Sequence, residues 1–183
     1  MKRAMTTAAA IVAMVSLPAF ADLATVADEP GFVAIGEIAE RNAGRTECVA
    51  YDDASRTCSA LNVLVPMDEE RLMAMSTLKL VDEPALFANV TETLSIRNGF
   101  GCSDYANAAV TVQSDVMAFE ESERMGEELL TRLQGAGEVC IGYFQDGDGL
   151  VARTVTAGGE AVEGSSDVAV SFAEATPELR PAR

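Results

Sequence analysis

The sequence predicts an α+β fold: a mainly antiparallel β-meander with one amphipathic helix, at about 120–134, packed on the sheet. A half-closed β-barrel is the alternative, because a meander of this length can close on itself. Three observations lead there. Short runs rich in β-branched and apolar residues recur between clusters of Asp, Asn, Gly and Pro. One stretch alone repeats apolar residues at helical spacing, with Met125, Leu129, Leu130 and Leu133 in register. Four cysteines, an even number, follow an N-terminus of secretory type.

The elements follow in order. Residues 1–21 carry Lys2 and Arg3, a short apolar run over 8–17, then Pro18 and Ala19-Phe20-Ala21. That is the pattern of a cleaved signal peptide. The run is too short to span a bilayer, and no later apolar stretch is long enough to do so. Residues 22–30 are small and acidic and read as an extended lead-in. Residues 31–173 read as one disulfide-stabilised globular domain, opening with a short strand or helix over 32–38. Strands at about 45–51 and 57–65 make a hairpin centred on Asp53, which places Cys48 opposite Cys58. Residues 72–81 and 86–97 pair as a second hairpin around Asp82-Glu83-Pro84, and Asn98-Gly99 ends it with a turn. Residues 109–112 form another short strand. The helix at 120–134 gathers its Glu residues toward the N-terminal half, where the helix dipole favours them, and Gly135 is its C-cap. Residues 139–144 and 150–156 pair across Asp146-Gly147-Asp148-Gly149. Residues 167–172 alternate as a last strand, and 174–183 read as a flexible tail.

Charge and cysteine content narrow the function classes. The chain has 29 acidic and 13 basic residues, and loss of Lys2 and Arg3 with the leader takes its formal charge from −16 to −18. Such a surface repels nucleic acid and anionic lipid, so cationic proteins or divalent cations are the better partner classes. No membrane span is expected after cleavage. Exported cysteines pair, and the favoured pairs are Cys48–Cys58 and Cys102–Cys140. With no histidine and no C-x-x-C, a zinc site is not expected, nor is any other cofactor.

Several short motifs carry chemistry on paper. Ser76-Thr77-Leu78-Lys79 is a Ser-x-x-Lys, and Tyr105-Ala106-Asn107 is a Tyr-x-Asn. Both resemble elements of the penicillin-binding class of serine acyl-transferases. The third element of that class, Lys-Thr-Gly on a strand, is missing, and Lys79 is the only Lys after the leader. Residues 72–81 also alternate as a strand, which sends Ser76 and Lys79 to opposite faces. Met73 and Met75 would share one face and could offer thioethers to Cu(I), though Met equally fills core gaps. Asp146-x-Asp148-Gly149 lacks the spacing and terminal Glu of a calcium loop. Without histidine, a Ser-His-Asp or Cys-His centre is excluded, and carboxylate acid–base chemistry is what remains.

The expectation is an exported, periplasmic binding or interaction module without catalytic activity. Its ligand would be a small apolar molecule in a sheet-and-helix cavity, or a cationic partner on the acidic face. The rival is a small hydrolase that uses Asp or Glu. An apolar cavity without buried carboxylates favours the first; two carboxylates facing each other in a cleft favour the second.

Overall fold

A computed structural model describes residues 22–52, 54–174 and 177–181; the expected leader at 1–21 lies outside them. The elements are α1 (Leu23–Ala27), β1 (Phe32–Val33), α2 (Ile35–Arg41), β2 (Thr46–Val49), β3 (Thr57–Cys58), β4 (Ala60–Pro66), β5 (Arg71–Val81), β6 (Leu86–Arg97), β7 (Phe100–Ser103), β8 (Ala109–Ser114), α3 (Phe119–Gly135), β9 (Val139–Asp146), β10 (Gly149–Thr156), β11 (Val168–Ala173) and β12 (Glu178–Leu179).

The strands run β9-β10-β11-β2-β4-β5-β6-β7, and β7 pairs back onto β9. The meander is therefore an eight-stranded closed barrel, with antiparallel pairing throughout and α3 packed beside it. The fold is the expected α+β one in its barrel form. Two hairpins supply the longest ladders. Strands β5 and β6 pair from Arg71↔Ser95 to Val81↔Leu86, and β9 and β10 from Thr156↔Val139 to Gly149↔Asp146. Strand β6 outruns its partner β7, so its first half pairs with β8, which lies off the barrel circuit.

Three apolar clusters hold this together. The first is inside: Ile35, Ile38 and Ala39 of α2 enter the barrel and bury against Leu72, Ala74, Leu94, Tyr143 and Val170. The Ile35 N–H donates to the Gly99 carbonyl at 2.8 Å, which fixes this plug to the β6–β7 turn. Gly99 has φ +82°, and a Cβ there would meet the Phe32 ring at 2.8 Å, so that position needs glycine on both counts. The second cluster is outside the wall, where Leu23 and Val26 of α1 cover Phe100, Phe144, Val155 and the Cys102–Cys140 disulfide. The third surrounds the Cys48–Cys58 disulfide, with Leu61 and Leu179 against it.

Three expectations need correction. Residues 22–30 are not extended: Leu23–Ala27 is a helix, started by Asp22, whose Oδ1 accepts the Thr25 N–H at 2.8 Å. The first hairpin is not centred on Asp53. Its register is Cys48↔Leu61 and Val49↔Ala60, because Ala50 and Arg56 take positive φ and the chain between them folds onto Asp52↔Thr57. Cys48 still reaches Cys58, but from one strand to the neighbouring β3 segment rather than across a ladder rung. Nor is the C-terminal segment a flexible tail over 177–181: β12 runs parallel to β3, and Arg180 donates to the carbonyls of Thr57 and Ala50. Asn98-Gly99 does end the second hairpin with a turn, as expected, and the same turn leads into β7, pairing Arg97 with Phe100.

Among the described residues no helix is long and apolar enough to cross a membrane. Two disulfides fit an exported or extracellular protein.

Candidate functional site

Strand alternation determines what faces the barrel interior. On β2 the Cys48 side chain points out to its disulfide, so Glu47 and Val49 point in. Pairing carries that parity round the wall. Asn62 and Leu64 face in from β4, Ala74 and Ser76 from β5, Glu92 and Leu94 from β6. Ile141, Tyr143, Ala152, Thr154 and Val168 complete the lining, with Ile35 of α2 as the floor. The cavity they line is about 160 Å³. An eight-stranded barrel is just wide enough to be filled by side chains or to hold one small ligand, and this one is filled by α2 at one end only.

Polar groups inside this apolar lining are few and specific. Glu47 is 2% exposed. Its Oε2 accepts the Tyr143 hydroxyl at 3.0 Å and the Asn62 side-chain amide at 3.4 Å. Burial pushes the Glu47 carboxyl up to about 7, although both hydrogen bonds pull the other way. Burial, then the Glu47 charge, raises Tyr143 well above its ordinary value, so this phenol stays protonated and acts as a donor. Glu92 faces the same interior from β6, in register with Ala74. Its Oε2 is buried and has no hydrogen-bond partner. Burial raises this carboxyl as well, against the Ser103 hydroxyl, which favours the charged form. Tyr105, in the β7–β8 connection, is raised by its own burial and by the charge of Glu92. The site is thus a largely apolar chamber with two carboxyl groups: Glu47, which accepts from two donors, and Glu92, whose Oε2 has none.

The residues singled out from sequence are distributed as follows. Ser76 faces into the chamber, while Lys79 lies on the opposite face of β5, paired with Asp82 at 2.6 Å. The hydroxyl and the amine are therefore separated by the wall of the barrel. Met73 and Met75 share the outer face, Met75 being 37% exposed. No cysteine is free, and among the described residues no three His, Cys, Asp or Glu side chains gather to hold a metal ion. Glu47 and Glu92 were not singled out by motif, but an inward-facing alternation was readable: Val90, Glu92 and Leu94 share one face, and Glu47 opposes a disulfide cysteine.

Comparison with protein families, with characterised proteins and with solved structures finds no match for this chain.

Proposed function

We propose that this is an exported, periplasmic binding protein whose barrel interior takes a small organic cation: a compact apolar body carrying one ammonium group. The observation that carries this reading is the bare Glu92 Oε2 inside a cavity it shares with Glu47. A buried carboxylate oxygen without a donor is costly, and an ammonium supplies both the missing donor and the missing charge. The walls supply the rest: Ile35, Leu64, Leu94, Ile141 and Val168 offer apolar contact. Size limits the ligand. A cavity near 150 Å³ holds benzene, so about 160 Å³ suits a benzylammonium-sized molecule.

Titration calorimetry with benzylammonium and with benzyl alcohol as neutral control tests this. The cation should bind at least about tenfold more tightly than the alcohol, a difference of about 1.4 kcal/mol. Glu92→Gln should remove that preference while leaving the fold stable. Affinity for the cation should rise as pH is raised through about 7, because Glu47 ionises there while the amine stays charged. Equal binding of the alcohol would make this a carrier of neutral apolar ligands instead.

A small carboxylate hydrolase is the second reading. Glu47 titrating near 7 is the property of a general acid working at neutral pH, and Glu92 would be its partner. Cavity size counts against it, since about 160 Å³ does not admit a disaccharide. Turnover of a small chromogenic ester or aryl glycoside, abolished by Glu47→Gln, would favour the enzyme.

A further inference from the structure

Apart from the barrel interior, an open groove of about 850 Å³ lies between α3 and β8. Its floor is apolar, built from Val110, Val112, Met117 and Leu130. Phe119 stands in its wall 71% exposed, and Val116 nearby is 70% exposed. Helix α3 spans 17 residues, yet Gly126 is its only buried one, so its apolar stripe is left half covered. Three carboxylates line the same groove: Asp115, Glu123 and Glu127. None of them makes an ion pair among the described residues, and no Lys or Arg lines the groove.

We infer that this groove docks a basic amphipathic segment of a partner protein, with large apolar side chains on Phe119 and the β8 floor and Lys or Arg against Glu123 and Glu127. Charge complementarity selects this occupant. A second copy of the chain would bring a net −16 and an equally acidic groove, and an anionic membrane surface would be repelled in the same way. An apolar floor with acidic walls is what a helix-in-groove contact needs for a basic target, the floor supplying affinity and the walls orientation. This inference does not depend on the ligand of the barrel interior.

The test is fluorescence anisotropy of a short, labelled, helix-forming Lys/Leu peptide against the full chain. A Lys/Ser peptide of equal charge and a Glu/Leu peptide are the controls. The Lys/Leu peptide should bind at least about tenfold more tightly than either. Phe119→Ser and the pair Glu123→Gln with Glu127→Gln should each weaken it by about fivefold or more, because they remove floor and walls separately. The pair Glu40→Gln with Glu69→Gln changes net charge equally on exposed sites elsewhere and should leave binding within about twofold. These are surface positions, and unchanged thermal midpoints will show that the variants fold. Equal effects of the two charge pairs, or Lys/Ser binding as tightly as Lys/Leu, would reduce the contact to general electrostatic adsorption and overturn the inference. Absence of Lys/Leu binding would overturn it too. Self-association removed by Phe119→Ser, seen by sedimentation equilibrium, would overturn it by assigning the groove to a second copy.

Discussion

Glu47 shows how one residue couples stability to the chemistry of the interior. An unfolded chain ionises it near the ordinary 4.5, whereas the folded chain keeps it protonated up to about 7. Between those values the folded state holds the extra proton, so stability falls as pH rises and is level on either side of the window. The size of the fall is roughly 3 to 4 kcal/mol, from a pKa difference of about 2.5 at about 1.4 kcal/mol each. Glu47→Gln keeps an acceptor for the Tyr143 hydroxyl and removes the proton exchange. Urea unfolding across pH 4 to 8 should therefore show the slope in the native sequence and lose most of it in the variant, which becomes the more stable protein at pH 8. A slope that survives would place the titrating group elsewhere. The residue was legible only in part. Strand parity puts Glu47 on the face opposite Cys48, but nothing local in sequence tells that this face is sealed, because sealing depends on strands far away in sequence that complete the barrel. Ser76 and Lys79 were easier, since strand period alone separates them.

At the scale of elements, legibility tracked local pattern. The hairpins at 71–97 and 139–156 and the helix at 119–135 carry strong alternation, turn chemistry or helical spacing, and they fold close to where those signals put them. Helix α1 carries no such pattern; it exists because Leu23 and Val26 find an apolar outer wall at Phe100 and Phe144. Strand β7 is four residues of Phe-Gly-Cys-Ser, too short to show a period, and all four are buried. Gly126 was invisible for the same reason: its role is set by a contact partner on β8. A Cβ on Gly126 would lie 2.9 Å from the Val110 carbonyl oxygen, and neither atom belongs to a flexible side chain. Alanine normally stabilises a helix interior by about 1 kcal/mol over glycine. Here Gly126→Ala should instead destabilise, by about 1–3 kcal/mol, as overpacking drives α3 from β8. Denaturation midpoints decide it, and a stabilised variant would show that α3 shifts freely along the strand. The same displacement should widen the groove and weaken Lys/Leu peptide binding.

Closure is the property of the whole molecule on which the cavity depends, and no local stretch of sequence encodes it. The ring is sealed where β7 meets β9 through Gly101↔Ile141, Cys102↔Cys140 and Ser103↔Val139. Eight residue pairs join β9 to β10 by comparison. The middle rung of the three at the seam is a disulfide. Its loop spans 38 residues, against 10 for Cys48–Cys58. In the chain-entropy account the two bonds stabilise by about 4 and about 3 kcal/mol. The two pairs should differ in kind as well as in size. Cys48–Cys58 ties β2 to β3 at a site that β12 and Arg180 also brace, so its loss is shared with other contacts. Cys102–Cys140 has α1 over it and the barrel interior behind it, so its loss frees the seam itself. Replacing both Cys102 and Cys140 with Ala should therefore lower urea stability more than replacing Cys48 and Cys58. It should also speed deuterium exchange at amides of β7 and β9 before global unfolding, and weaken benzylammonium binding by more than the stability loss explains. Equal exchange in the two double variants would show that β6 and β10 hold the barrel shut without the covalent rung. The cavity would then owe its closure to the ladders alone.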